Sequence, residues 1–168
     1  MSATLHTSLG DMKLELATVE VPSLCANFLA LAASGAYDGT LFHRNIKGFL
    51  LQGGDPTGTG KGGAALLLPP GLPPGSPLPP AHHPLLRHDA RGILAMASSD
   101  KAGIGAQFYL TYAAQETLDG VYCVMGRLIG GWDVLDAMER APVAGKRFKP
   151  VTDIVLRSVT IHANPLAA

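Results

Sequence analysis

The run from Leu41 to Gly63, LFHRNIKGFLLQGGDPTGTGKGG, decides how the rest of the chain is read. Apolar residues surround one arginine, Arg44, and one glutamine, Gln52, and the run closes in a glycine string. Residues 41–46 and 49–53 read as two short strands. There is no serine nucleophile, no pair of carboxylates and no metal-ligand cluster in it. Any chemistry here has to use an arginine beside an apolar wall.

Outward from that run, further strands are expected. Residues 3–7 and 12–16 alternate apolar with polar and flank a Leu9-Gly10-Asp11 turn, the pattern of a hairpin. Residues 92–97, 107–112, 122–129 and 154–162 read as strands. Pro22 opens a helix and Gly35 closes it, with Leu24, Phe28 and Leu31 on one face. A short second helix spans 131–140, with Trp132, Leu135 and Met138 or Glu139 about a turn apart. Many short strands with two helices predict a β-barrel or sandwich with helical caps.

Composition narrows the function. The chain has 168 residues, enough for one domain with a real core. Lys plus Arg and Asp plus Glu stand at 13 each, so no global field draws in nucleic acid or anionic lipid. Cys25 and Cys123 are too few for a disulfide framework and sit among apolar residues, so buried reduced thiols in an intracellular protein are expected. No leader peptide or apolar membrane span is visible. A soluble protein, nuclear or cytoplasmic, is the expectation.

Two motifs are set aside. Gly58-Thr59-Gly60-Lys61-Gly62-Gly63 matches G-x-G-x-x-G, but no helix follows to aim amides at a pyrophosphate. A flexible glycine loop is the better reading. His82, His83 and His88 lack the spacing or carboxylates of a metal site and read as solvated loop residues. His43 precedes Arg44 on an expected strand, so it points to the opposite face as a hydrogen-bonded core residue.

The segment from Leu66 to Pro84, LLLPPGLPPGSPLPPAHHP, holds eight of the thirteen prolines. It cannot supply a central strand or a helix interior. The atypical loop extends over about 64–84. Pro70 to Pro73 and Pro77 to Pro80 have PxxP spacing, so a partner-binding loop, an inert insertion and a wrongly retained coding segment all fit. The expectation is a loop that can be replaced over 65–80 without cost to folding.

FHRNIKGFLLQGGDPTGTGKGG resembles the signature of the cyclophilin-type peptidyl-prolyl isomerases. RGILAMASSD, AQFYLTY and LDGVYCVMGRLIGG follow in that family's order. The opening TLHTSLGDMKLEL, the NIKGF variant and the ending VTIHANP are most similar to its small nuclear isomerase-like type three. The resemblance covers about 1–63 and 85–168 as a single domain. It implies a closed eight-stranded antiparallel β-barrel capped by two α-helices. It implies rotation about X-Pro bonds in protein chains, assisting folding or remodelling, with the spliceosome as the setting. A low-turnover module that docks Pro-containing segments in a splicing complex is the alternative. No metal and no cofactor is implied. Partners would be proline-containing segments and spliceosomal proteins, not nucleic acid or membrane, and the chain would be monomeric.

Carried over by motif, Arg44 and Gln52 match the catalytic pair. Phe49, Leu50, Tyr109 and Leu118 match the walls of the proline pocket. Ala97, Ser98 and Gln107 match the groove for the residues before proline. Tyr122 stands where the best-studied members carry histidine. Leu50 replaces a usual methionine, and Tyr109 replaces phenylalanine and brings a hydroxyl that needs a partner. Thr117 replaces the tryptophan with which prototypical members grip cyclosporin.

Overall fold

The computed structural model describes residues 1–99 and 103–162. Residue 100 of the RGILAMASSD run and residues 163–165 of the VTIHANP run lie outside them. The elements run β1 (Ser2–Thr7), β2 (Gly10–Leu16), α1 (Pro22–Ala33), β3 (Thr40–Leu41), β4 (Arg44–Ile46) and β5 (Leu50–Gly53). They continue with β6 (Ile93–Ser99), β7 (Gly103–Thr111), β8 (Cys123–Gly130), α2 (Trp132–Arg140), β9 (Val143–Ala144), β10 (Lys149–Pro150) and β11 (Val155–His162). No described helix is long and apolar enough to cross a membrane.

The main sheet is antiparallel and strongly curled, in the order β3-β11-β1-β2-β8-β6-β7-β5-β4. Its two edges belong to one stretch of chain. The expected single strand over 41–46 breaks at Phe42 and His43, because the run changes partner there. Thr40 and Leu41 pair with β11, whereas Arg44–Ile46 pair with β5. A bridge between Leu41 and Asp55 brings the edges together. With β3 and β4 counted as one kinked strand, the barrel has the eight strands the resemblance implies.

Period-two alternation separates two apolar clusters. Leu51, Phe108, Leu110, Leu94 and Met96 point into the barrel and join the main core with Leu24 and Phe28 of α1. Phe28, Tyr37 and Phe108 meet edge-on or tilted at centroid distances of 5.3–5.4 Å. Leu50, Ile93, Ala95, Tyr109 and Val124 occupy the other face and form a second cluster.

Pro22 starts α1 as expected, and Gly35 ends it. The Gly35 N–H donates to Ala32 O and the Ala36 N–H to Leu31 O, with Gly35 at φ 80°. This pair of bonds closes the last turn and needs a left-handed residue at Gly35. In α2 the buried stripe is Val134, Leu135 and Met138. Trp132, expected on that stripe, stays 43% exposed at the helix start. Arg91 ties α2 to the barrel through Asp136 at 2.6 Å and Glu139 at 2.7 Å.

The Pro-rich segment is not a free loop. Leu78 carries the one N–H between Pro77 and Pro80, and donates it to Ile104 O at 2.9 Å. Its side chain is 1% exposed in the main core. The N–H groups of Leu66 and Leu67 both donate to Oδ1 of the buried Asn27. These contacts argue against a dispensable insertion: Leu78, isolated between prolines, fills the core without forming an element.

Candidate active site

Arg44 and Gln52 face each other across β4 and β5, Gln52 faces Tyr109 on β7, and Tyr109 faces Ala95 on β6. This cross-strand row runs from a cation, through an amide, into the second apolar cluster. Asn45, the next residue along β4, turns the other way and is buried. Its Nδ2 donates to Met138 O at 2.7 Å, and its Oδ1 accepts from the Tyr112 hydroxyl at 2.6 Å. That inward anchor fixes β4, so Arg44 projects outward by alternation.

A chain of amides orients the guanidinium. Arg44 Nη1 donates to Gln52 Oε1 at 3.4 Å, Gln52 Nε2 to Gln107 Oε1 at 2.8 Å, and Gln107 Nε2 to Gly62 O at 2.9 Å. Each amide nitrogen keeps a second hydrogen for a ligand carbonyl. Gln52, Gln107, Ala97 and Ser98 line one cavity of about 420 Å³.

Phe49, Ala97, Leu118 and Tyr122 are half-buried and pack on the second cluster, in which Leu50 and Tyr109 are nearly enclosed. All ten expected site residues thus gather on this face, in the apolar cluster or beside the amide chain. Thr117 stands exposed in the 3-10 turn over Glu116–Leu118.

Sequence reasoning missed the support beneath Tyr109. His88, expected to be a solvated loop residue, is 0% exposed. Its Nε2 lies 2.6 Å from the Tyr109 hydroxyl and its Nδ1 lies 2.8 Å from Asp119 Oδ1. Its own backbone N–H donates to the same carboxylate oxygen at 2.7 Å. The backbone bond from His88 first, then its ring, holds the Asp119 carboxyl below its usual range. Burial pushes the Tyr109 phenol up, so it stays a neutral donor. The His88 ring thus bridges the Asp119 carboxylate and the Tyr109 hydroxyl. The signal was present: a hydroxyl on a pocket floor needs a partner, and a histidine supplies one.

The glycine string is likewise ordered by a residue not singled out. Asp55 is 0% exposed and accepts from the Thr57 N–H and hydroxyl, the Gly60 N–H and the Gly62 N–H. Burial would raise its carboxyl, but these donors hold it below the ordinary value. Gly58 and Gly60 sit at φ 70° and 83°, where glycine is favoured. His43 is buried as expected, yet its Nδ1 has no hydrogen-bond partner among the described residues. It lies in the break before β4 and lines the same cavity as Arg44, rather than the opposite face. Cys25 and Cys123 are free and buried, and burial first, then the charge of Glu20, pushes the Cys25 thiol up to about 12.

The chain is similar to known proteins over nearly its whole length. The family model described as cyclophilin type peptidyl-prolyl cis-trans isomerase/CLD matches residues 2–161. Peptidyl-prolyl cis-trans isomerase CYP18-1 of Arabidopsis thaliana is 52% identical over 167 residues, covering 99% of both chains. Peptidyl-prolyl cis-trans isomerase-like 3 of Homo sapiens is 44% identical, again covering 99% of both chains. Equal coverage on both sides shows that this chain and these relatives are of similar length. A crystal structure of a cyclophilin type isomerase of Cryptosporidium parvum, in the presence of the dipeptide Ala-Pro, superposes with a TM-score of 0.89 at 43% identity. It covers 98% of this chain and 100% of that one. The chain belongs to the cyclophilin-type peptidyl-prolyl cis-trans isomerases.

Proposed function

We propose that Arg44 and Gln52 carry the isomerisation, with the second apolar cluster gripping the prolyl ring. Rotation about an X-Pro bond breaks no covalent bond, so it needs no nucleophile. It needs the amide to lose its double-bond character, against a barrier of about 18–20 kcal/mol. Turnover on a millisecond scale requires about four decades, or roughly 5–6 kcal/mol. One hydrogen bond from a charged donor supplies about 1.5–3 kcal/mol. The remainder has to come from a surface that holds the ring, excludes water and favours the twisted amide.

Each residue has a part in that division. In the twisted state the prolyl nitrogen regains a lone pair, to which Arg44 donates. Gln52 orients Arg44 through Oε1 and offers its free Nε2 hydrogen to a substrate carbonyl. Gln107, Ala97 and Ser98 hold the residues before proline. Phe49, Leu118 and Tyr122 close on the ring over Leu50 and Tyr109.

The observation that carries this reading is the row Arg44, Gln52, Tyr109, Ala95, which sets one cation against one apolar cluster. The test is the isomerisation rate of a short X-Pro peptide with wild type and Arg44→Ala. Unchanged turnover in the folded variant removes Arg44 from the mechanism.

The setting we propose is folding or remodelling of spliceosomal proteins in the nucleus or cytoplasm, by a monomer. The resemblance of the opening, NIKGF and VTIHANP runs to the small nuclear type suggests it, and co-purification from nuclear extract tests it. A second reading is a docking module of low turnover. It is favoured by the near enclosure of Leu50 at 4% and Tyr109 at 2% exposure, which leaves a shallow rim for the ring. Peptide binding without measurable turnover would select it.

A further inference from the structure

We infer that a second cavity beside Arg44 receives an anionic side chain, a carboxylate or a phosphate, of the substrate chain, so that acidic or phosphorylated X-Pro segments are preferred. This rests on the reacting bond lying at Arg44.

The cavity has a volume of about 660 Å³, and its lining includes His43, Arg44, Lys61, Lys146, Arg147 and Lys149. Five of those six are permanently charged cations, in a chain whose formal net charge is zero. Among the described residues none of the five takes part in an ion pair. The nearby carboxylate, Asp55, is enclosed and already committed to Thr57, Gly60 and Gly62. Unpaired cations gathered around one concave surface focus a positive potential into it.

Two walls are built to hold that geometry. One is the loop wrapped around Asp55, which carries Lys61. The other is the turn from Gly145 to Lys149, closed by pairing of β9 with β10. Phe148 in that turn sits at φ 55°, a conformation rare for a side chain of its kind, and its carbonyl accepts the Asn45 N–H at 2.9 Å. The basic turn is thus pinned one residue from Arg44. At the floor lies His43, 8% exposed, with Nδ1 unpartnered among the described residues.

A peptide suits the site better than a nucleic acid. The cavity opens on Arg44 and Gln52, so its occupant is continuous with a chain lying in the neighbouring groove. None of its lining residues is Phe, Tyr or Trp, the stacking platforms on which single-stranded bases are held.

The experiment compares short peptides around one Ala-Pro bond, bearing glutamine, glutamate or phosphoserine on either side of the proline. Isomerisation is followed by NMR exchange with wild type and with the combined Lys146→Gln, Arg147→Gln, Lys149→Gln variant. Wild type is expected to show kcat/KM about tenfold higher for the best anionic peptide, as several exposed charge contacts together supply. The variant is expected to lose that preference and to turn over the glutamine peptide as wild type does. Added salt should collapse the preference in wild type too, which keeps the test open if the variant misfolds. Inorganic phosphate should compete against the phosphoserine peptide and not against the glutamine peptide. Equal rates for all peptides, or a preference that survives the variant, would overturn the inference. So would binding of a single-stranded oligonucleotide that needs the three cations while peptide discrimination is absent. A fault in the placement at Arg44 shows separately, as glutamine-peptide turnover indifferent to Arg44→Ala.

Discussion

The Tyr109 hydroxyl is hydrogen-bonded to Nε2 of His88 at 2.6 Å, and the two rings are stacked, 5.9 Å apart and 16° from parallel. The floor of the proline cluster is therefore fixed from below by a polar chain that ends on Asp119. Tyr109→Phe keeps the ring but leaves a buried imidazole nitrogen unpaired, which costs about 1–3 kcal/mol. Chemical denaturation should show that loss. His88→Leu combined with Tyr109→Phe should lose less than the sum of the two single changes, because no orphaned polar group remains. Strict additivity would mean that the pair is not coupled.

That chain shows where the sequence stops being legible. The strands could be read because alternation is local, and Gly35 could be read because a helix end has local chemistry. Arg44 and Gln52 could be placed together because one hairpin joins them. The partners of Tyr109 could not: His88 and Asp119 are 21 residues upstream of it and 31 residues beyond His88, in segments with no periodic pattern. Leu78 was hidden for a related reason, since prolines on both sides mask a single core leucine. Without the family resemblance, a barrel or sandwich with helical caps was within reach, but not the roles of Arg44 and Gln52.

Gln107 touches Gln52, not Arg44. Gln107→Ala should therefore both loosen Gln52 and remove a contact to the residues before proline, lowering kcat by about tenfold and raising KM severalfold. Arg44→Ala, which removes a donor used mainly in the transition state, should lower turnover by about two decades or more. Steady-state kinetics on one X-Pro peptide checks both. A KM unchanged by Gln107→Ala would take Gln107 off the substrate and leave it orientation alone.

Thr117 offers neither an indole N–H nor a large apolar face. Cyclosporin should bind about tenfold more weakly than to relatives with tryptophan there, and Thr117→Trp should recover part of the difference, because a buried aromatic anchor dominates such contacts. Titration calorimetry on both proteins decides it. Tight binding by the wild type would show that this position is not the contact.

Asp55 should shape stability at low pH. Its folded carboxyl titrates below the ordinary value because Thr57, Gly60 and Gly62 donate to the ionised form. The native state thus holds the proton less tightly than the unfolded chain. The contribution is fully present above the unfolded value, near pH 3.9, and is lost as pH falls through the lower folded value. Asp55→Asn should cost about 2 kcal/mol at neutral pH and flatten the acid limb of a denaturation-midpoint profile. A limb of unchanged slope would assign the acid sensitivity to other carboxylates.

The Pro-rich segment divides into a tip and an anchor. Residues 70–75 are exposed, whereas Leu78 fills the core and bridges Ile104. Leu78→Ala removes buried methyl groups from a site walled by Ile104 and the barrel end, and such truncations cost about 2–5 kcal/mol. Loop length itself matters little, since closure entropy grows only with the logarithm of length. Shortening the tip within 70–75 by Gly-Ser replacement should therefore leave the melting temperature within a few degrees of wild type. Replacing residues 65–80 should not, because that change also strips Asn27 Oδ1 of the Leu66 and Leu67 donors. Thermal melts of the three variants separate the cases. If Leu78→Ala melts with wild type, the leucine is not a core residue in solution and the segment reverts to a dispensable loop.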